Sequence, residues 1–308
     1  MKKVFVTITA LALAAAAAFA QDYNAAIGYY NAGAEAMATD KAKALESFRS
    51  ALAEFSVCEE EDAPGQVAKC KEIIPGIILS IAKDQINAGE YDAAVATLGD
   101  AVSVSAEYGQ EGIAADANKL IPNAYMRKGA TLAKDGDLAG AIEAYNKVVE
   151  LKPNDGQTYL VLGQTIMKSG DLDGAIAALV SAYENGQEAK AGKLISNCYL
   201  KKAQAALKAN KNADAIAALQ EGNKYLETSN AYKLLGSAYT KSGKSAEAIE
   251  AYKKYLEVDP NAKDSEDILF TIAATAQKSG DKATAKEYYK KLAGTKYAAQ
   301  AEAQLKTL

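Results

Sequence analysis

Residues 134–145 read KDGDLAGAIEAY and residues 168–179 read KSGDLDGAIAAL, so that Gly136 and Gly170 stand 34 residues apart in nearly the same phrase. Each phrase joins a lysine to a turn whose glycine is able to take positive φ at a helix end. An alanine then follows, with a bulky residue four positions later. That i, i+4 pair lies on one face of a helix. The phrase therefore predicts the turn and second helix of a repeated helix pair.

Used as a ruler, the alanine recurs at Ala94, Ala141, Ala175, Ala215, Ala248 and Ala285, and more loosely at Ala44. Its bulky partners are Leu98, Tyr145, Leu179, Leu219, Tyr252, Tyr289 and Phe48. Twelve residues before the six closer matches stands a small residue, Ala82, Gly129, Gly163, Ala203, Gly236 or Ala273. Four before that comes a large one, Ile78, Tyr125, Tyr159, Tyr199, Tyr232 or Leu269. The first helix of each pair thus carries large-x-x-x-small, and the second carries small-x-x-x-large.

These columns resemble the tetratricopeptide repeat, whose signature runs W-x2-L-G-x2-Y, then A-x3-F, then P over 34 residues. The stretch 229–262 carries it most fully, with Tyr232, Leu235-Gly236, Tyr239, Ala248, Tyr252 and Pro260, and 125–153 follows closely with Lys128 in place of leucine. The resemblance implies an all-α fold, a right-handed α-solenoid of about seven antiparallel helix pairs over residues 21–308. The pairs are expected at 25–57, 72–104, 121–154, 156–186, 190–227, 229–261 and 265–294, with a capping helix at 296–308 that carries Tyr297, Ala301 and Leu305. Successive marker alanines lie 50, 47, 34, 40, 33 and 37 residues apart. Extra sequence therefore flanks the second pair and follows the fourth, to be taken up by longer helices or loops.

Residues 1–20, MKKVFVTITALALAAAAAFA, set two lysines before an apolar run and close on Ala18-Phe19-Ala20. This is the pattern of a signal peptide cleaved before Gln21, and it predicts an exported chain, periplasmic or secreted. No cysteine follows closely enough to carry a lipid anchor, and no later stretch has the roughly 20 apolar residues of a membrane-spanning helix. The whole chain has 35 basic against 39 acidic side chains, a formal charge of −4, which disfavours nucleic acid.

Cys58 and Cys70 bound CEEEDAPGQVAKC and are expected to join as a disulfide across a loop, leaving Cys198 as a packed thiol. With no histidine and no CxxC, neither a metal site nor a cofactor is expected. The acidic run 59–62 lacks the alternating oxygen ligands and the glycine of a calcium loop and reads as a solvated loop. Histidine-based triads cannot be built, so no catalytic residue is nominated.

The informative surface is the one lined by the first helix of each pair, which in the resembled family forms a concave groove for extended peptides or partner helices. Directly after the large residues come Met126, Leu160, Leu200, Lys233 and Phe270; two before them, Asn123, Gln157, Asn197 and Asn230; and farther along, Gln164 and Gln204. An amide row beside an apolar column is what backbone recognition of an extended chain requires, although the same column can instead pack against the next repeat. The lysine column Lys134, Lys168, Lys208, Lys241 and Lys278 reads as charge placed at helix C-termini. The expectation is an exported scaffold or adaptor that holds a protein or peptide partner, of unspecified oligomeric state. A carboxylate-dependent enzyme and a glycan- or cell-wall-binding component stand as alternatives.

Overall fold

The computed structural model describes residues 23–308, so the export segment expected at 1–20 lies outside the described residues. Fifteen α-helices run through the described residues, with no strand among them. They are α1 Tyr23–Ala36, α2 Lys41–Phe55, α3 Ala63–Ala88, α4 Tyr91–Glu107, α5 Glu111–Asp135, α6 Leu138–Leu151, α7 Gly156–Ser169 and α8 Leu172–Glu184. The series continues with α9 Glu188–Lys208, α10 Asn212–Asn223, α11 Ser229–Lys241, α12 Ser245–Val258, α13 Ser265–Ser279, α14 Lys282–Lys290 and α15 Ala298–Leu305. The fold is all-α, an α-solenoid of helix pairs.

Contacts divide the chain into residues 1–124 and 125–308, and the division falls within α5. In the first unit α1, α2, α3 and α4 pack in chain order around Phe48, Phe55, Ile74, Ile78 and Leu98, joined by Ala117 and Ala124 from the first half of α5. In the second unit each helix from α6 to α15 packs on the next in the chain, with α7 also touching α9. Its core is a succession of small clusters rather than one centre, as nearest-neighbour stacking dictates.

The columns read from the sequence form the seams. All seven marker alanines have no exposed surface, and their bulky partners are buried with them. Each such Leu or aromatic contributes on the order of 1.5–3 kcal/mol by leaving water. The small residue on the facing helix lets them in: Gly129 lies under Tyr145, Gly163 under Leu179 and Gly236 under Tyr252, so close that a Cβ would stand 2.5, 2.6 and 2.5 Å from the partner side chain. In the repeated turn, Gly136 and Gly170 have φ of 88° and 95°, conformations L side chains rarely adopt. Asp137 and Asp171 then accept from the backbone N–H of Gly140 and Gly174 at 2.9 Å, capping α6 and α8.

The extra sequence goes largely into helix. α3, α5 and α9 are 26, 25 and 21 residues long, against 14 for α7. Pro75 in α3 and Pro122 in α5 stand three residues before Ile78 and Tyr125. Gly156 and Ser229, which begin α7 and α11, stand in the same relation to Tyr159 and Tyr232. The long helices are therefore ordinary repeat helices with a helical segment added upstream. The acidic run 59–62 is an exposed loop, as expected, and the rest of the insert opens one of these additions: α3 begins at Ala63, with Pro64 in its first turn.

Candidate functional site: the faces of the first helices

In the second unit, the side-chain amides of Gln157, Asn197, Gln204 and Asn230 are exposed on α7, α9 and α11 and make no hydrogen bond, and Gln164 is half-buried and likewise unbonded. Asn123, at the end of the first unit, is exposed.

The apolar column is set deeper than the amides, and Leu160 within it is buried. Leu160 is 3% exposed and packs with Leu179, Ile195 and Cys198. Leu200 is half-buried in the cluster of Leu219 and Leu235. Met126 packs beside Tyr145 and Leu162, its sulfur 3.6 Å from the Thr158 hydroxyl, which donates to the Asp155 carboxylate at 2.8 Å. Phe270 stacks on Tyr297 at 4.6 Å between ring centroids and meets Tyr289 edge-on at 5.9 Å. The position after the large residue is turned about 100° further round the helix, and in these helices it fills the seams between elements.

Lys233 is also engaged. Its ammonium donates to Asp264 at 2.5 Å, and the same carboxylate accepts from the Tyr255 hydroxyl. Three residues on, Asp267 accepts from Tyr297 at 2.9 Å and pairs with Lys296. Lys233 first and Tyr255 second hold the Asp264 carboxyl below the usual carboxylate range, and Lys296 and Tyr297 do the same for Asp267. Burial, reinforced by Asp264, pushes Tyr255 up to about 12. These groups tie α13 to α11, α12 and the terminal segment, and their hydrogen-bonding capacity is spent on structure.

A recess lies in the first unit, on a face for which the sequence nominated no residue. A hollow of about 450 Å³ is lined by Met37, Glu72, Ile73, Gly76, Ile77 and Ser80, with Lys41 at its edge. Lys41 also borders a second hollow of about 260 Å³ containing Ile81, Asp84, Gln85, Ala88 and Glu90. Lys41 and Asp84 pair at 2.5 Å on the rim. Met37 is 42% exposed, and the Gln85 side-chain oxygen is shielded from solvent without a hydrogen-bond donor. The available signal was the run Ile73, Ile77, Ser80, Ile81 and Asp84 at three- and four-residue steps along α3.

The structure does not contain the Cys58–Cys70 bond expected from the sequence. Cys70 is a thiol with no exposed surface, carried two turns into α3 rather than left at a loop end. Burial pushes it up to about 11. Cys198 is a second buried thiol, in α9. Among the described residues no group of three or more His, Cys, Asp or Glu could hold a metal ion, and no helix is long and apolar enough to cross a membrane.

Stacked helix pairs joined by short turns, with small residues under large ones, define a helical-repeat scaffold. Family models described as Tetratricopeptide repeat match residues 79–156, 132–198, 229–262 and 266–296, together more than half of the chain. The chain belongs to the tetratricopeptide repeat family. No curated protein matches it. Among solved structures it is similar to a MamA protein, at 28% identity over 60% of this chain and 96% of that one with a TM-score of 0.36. It is also similar to YrrB, described as a TPR protein with an unusual peptide-binding site, at 18% identity over 63% and 95% with a TM-score of 0.35. A third is PilW, a type IV pilus biogenesis factor, at 17% identity over 71% and 92% with a TM-score of 0.30.

Proposed function

We propose that this chain is an exported, non-catalytic scaffold that holds an extended polypeptide against the first helices of its repeats, in the periplasm or cell envelope, with the recess along α3 as the principal seat. The observation that carries the reading is the apolar floor of that recess, Ile73 and Ile77 beside exposed Met37, with the polar groups of Glu72 and Ser80 in the same lining. An extended polypeptide brings apolar side chains for that floor and backbone groups for the polar ones beside it. The unbonded amides of Gln157, Asn197, Gln204 and Asn230 extend the same chemistry in the second unit. Export rests on the lysine-apolar-Ala-x-Ala pattern of residues 1–20.

The test places a photoreactive side chain at Ser80 and, as a control, at Lys254, a residue paired with Glu257. Crosslinking in the producing cells is followed by mass spectrometry, with the chain's own N-terminus read from the same sample. The expected result is a polypeptide adduct at Ser80 alone, lost in Met37→Glu with Ile73→Glu while the helical circular dichroism is kept, on a chain beginning at Gln21. A glycan adduct supports the cell-wall alternative and overturns the reading. So does equal labelling at both positions.

A further inference from the structure

We propose that the edge of the second unit formed by the turns α9–α10, α11–α12 and α13–α14 is a docking surface for an anionic lipid bilayer. Each of these three turns presents two exposed lysines: Lys208 and Lys211, Lys241 and Lys244, Lys278 and Lys282. None of the six forms an ion pair, and only Lys282 has a hydrogen-bond acceptor, the Leu308 carbonyl at 3.4 Å. On the helix faces of the same unit several lysines are matched to an acid, as in Lys147–Glu150, Lys224–Glu221, Lys253–Glu250 and Lys254–Glu257.

The acids that share the edge do not cancel it. Asp281 caps α14 through the backbone of Thr284 and keeps its charge, so with Asp214 and Glu247 in the first turns of α10 and α12 three acids stand against the six lysines. The corresponding turns earlier in the unit run the other way: KDGD at 134–137 and KSGDLD at 168–173 each carry one lysine and two aspartates. The basic character is thus concentrated in three consecutive turns, where Lys211 and Lys244 stand in the capping place that Asp137 and Asp171 hold in α6 and α8.

A bilayer fits this edge better than an acidic peptide. Between the lysines lie Ala209, Asn210, Ser242, Gly243, Ser279, Gly280 and the capping Asp281, with no aromatic group among them. Lysine is a mobile point charge suited to diffuse attraction, whereas fixed carboxylate recognition favours the arginine fork. Each lysine near an anionic lipid surface strengthens partitioning roughly fivefold.

The experiment is vesicle co-sedimentation of the full chain with equal parts phosphatidylglycerol and phosphatidylcholine. Pure phosphatidylcholine vesicles report any contribution from the apolar N-terminal residues. Binding to the anionic vesicles should exceed the neutral baseline and fall to it near 1 M salt, where the screening length is about 3 Å. Lys208→Gln with Lys241→Gln and Lys278→Gln should weaken it roughly a hundredfold. Lys147→Gln with Lys224→Gln and Lys254→Gln removes the same charge from paired face positions and should change it far less. Equal binding to both vesicle types, equal losses in the two triple variants, or retention on a heparin column without vesicle binding would each overturn the proposal. These readouts do not involve the α3 recess, so the polypeptide reading stands or falls separately.

Discussion

A Cβ placed on Gly236 would stand 2.5 Å from Cε1 of Tyr252, inside any distance real Cβ atoms keep, and Tyr252 is itself only 6% exposed. The glycine and the ring are one packing unit, shared between the two helices of a repeat. Gly236→Ala is predicted to destabilise the chain by about 1–3 kcal/mol, because the ring has to leave its place in a filled seam. Denaturant unfolding of the variant checks this, and an unchanged midpoint would show that the ring yields freely.

Gly156 poses a harder case. Its Cβ would meet the backbone carbonyl oxygen of Asn185 at 2.1 Å, at the point where the start of α7 passes the end of α8. A carbonyl held by the chain cannot swing aside as a ring can. Gly156→Ala should therefore cost more than Gly236→Ala, and its hydrogen exchange should rise in α7 and α8 before the rest of the second unit. A smaller cost than that of Gly236→Ala would contradict the contact.

The carboxylates of α13 make stability depend on pH. Asp264 and Asp267 are held below their ordinary value of 3.8, so in that interval the folded chain binds fewer protons than the unfolded one. Their contribution is complete above the ordinary value and is lost as the pH falls through the lowered one. Asp264→Asn should lower the melting temperature at neutral pH and flatten its decline between about pH 4 and pH 2. Parallel curves for variant and parent would remove Asp264 from the account.

Thiol labelling under denaturing, non-reducing conditions tests the cysteine correction directly. Cys70 and Cys198 should both react once the chain is unfolded and resist labelling while it is folded, since both are buried and burial raises both thiols. A Cys70 that stays unlabelled beside a reactive Cys198 would restore the disulfide read from the sequence.

The fold was legible because its signal is pairwise. Ala175 with Leu179 and Gly163 with Tyr159 each fix a helix face, and their recurrence leaves little choice but stacking. The helix starts were less legible, because the added segments 63–74, 111–121 and 188–195 carry no large-small pair to mark them. The recess on α3 was missed for a related reason. Leu160 and Ile73 are equally apolar in the sequence, and only packing distinguishes the one that fills a seam from the one that floors a hollow. Gln157 and Gln204 were readable as exposed amides because nothing in their own turns competes for them.

Pro75 and Pro122 have a bearing on the order in which these helices come apart. Neither proline has an N–H to offer the carbonyl four residues back, at Lys71 and Asn118, so the hydrogen-bond ladder has a missing rung where the added segment joins the repeat helix. Downstream of each proline remain 14 residues, Pro75–Ala88 and Pro122–Asp135, the length of the unextended α7. The prolines act as fuses in the ladder: fraying that begins at Ala63 or Glu111 meets a natural stopping point before it reaches Ile78 or Tyr125. In α3 and α5 the helix that remains beyond the proline has the length of an ordinary repeat helix.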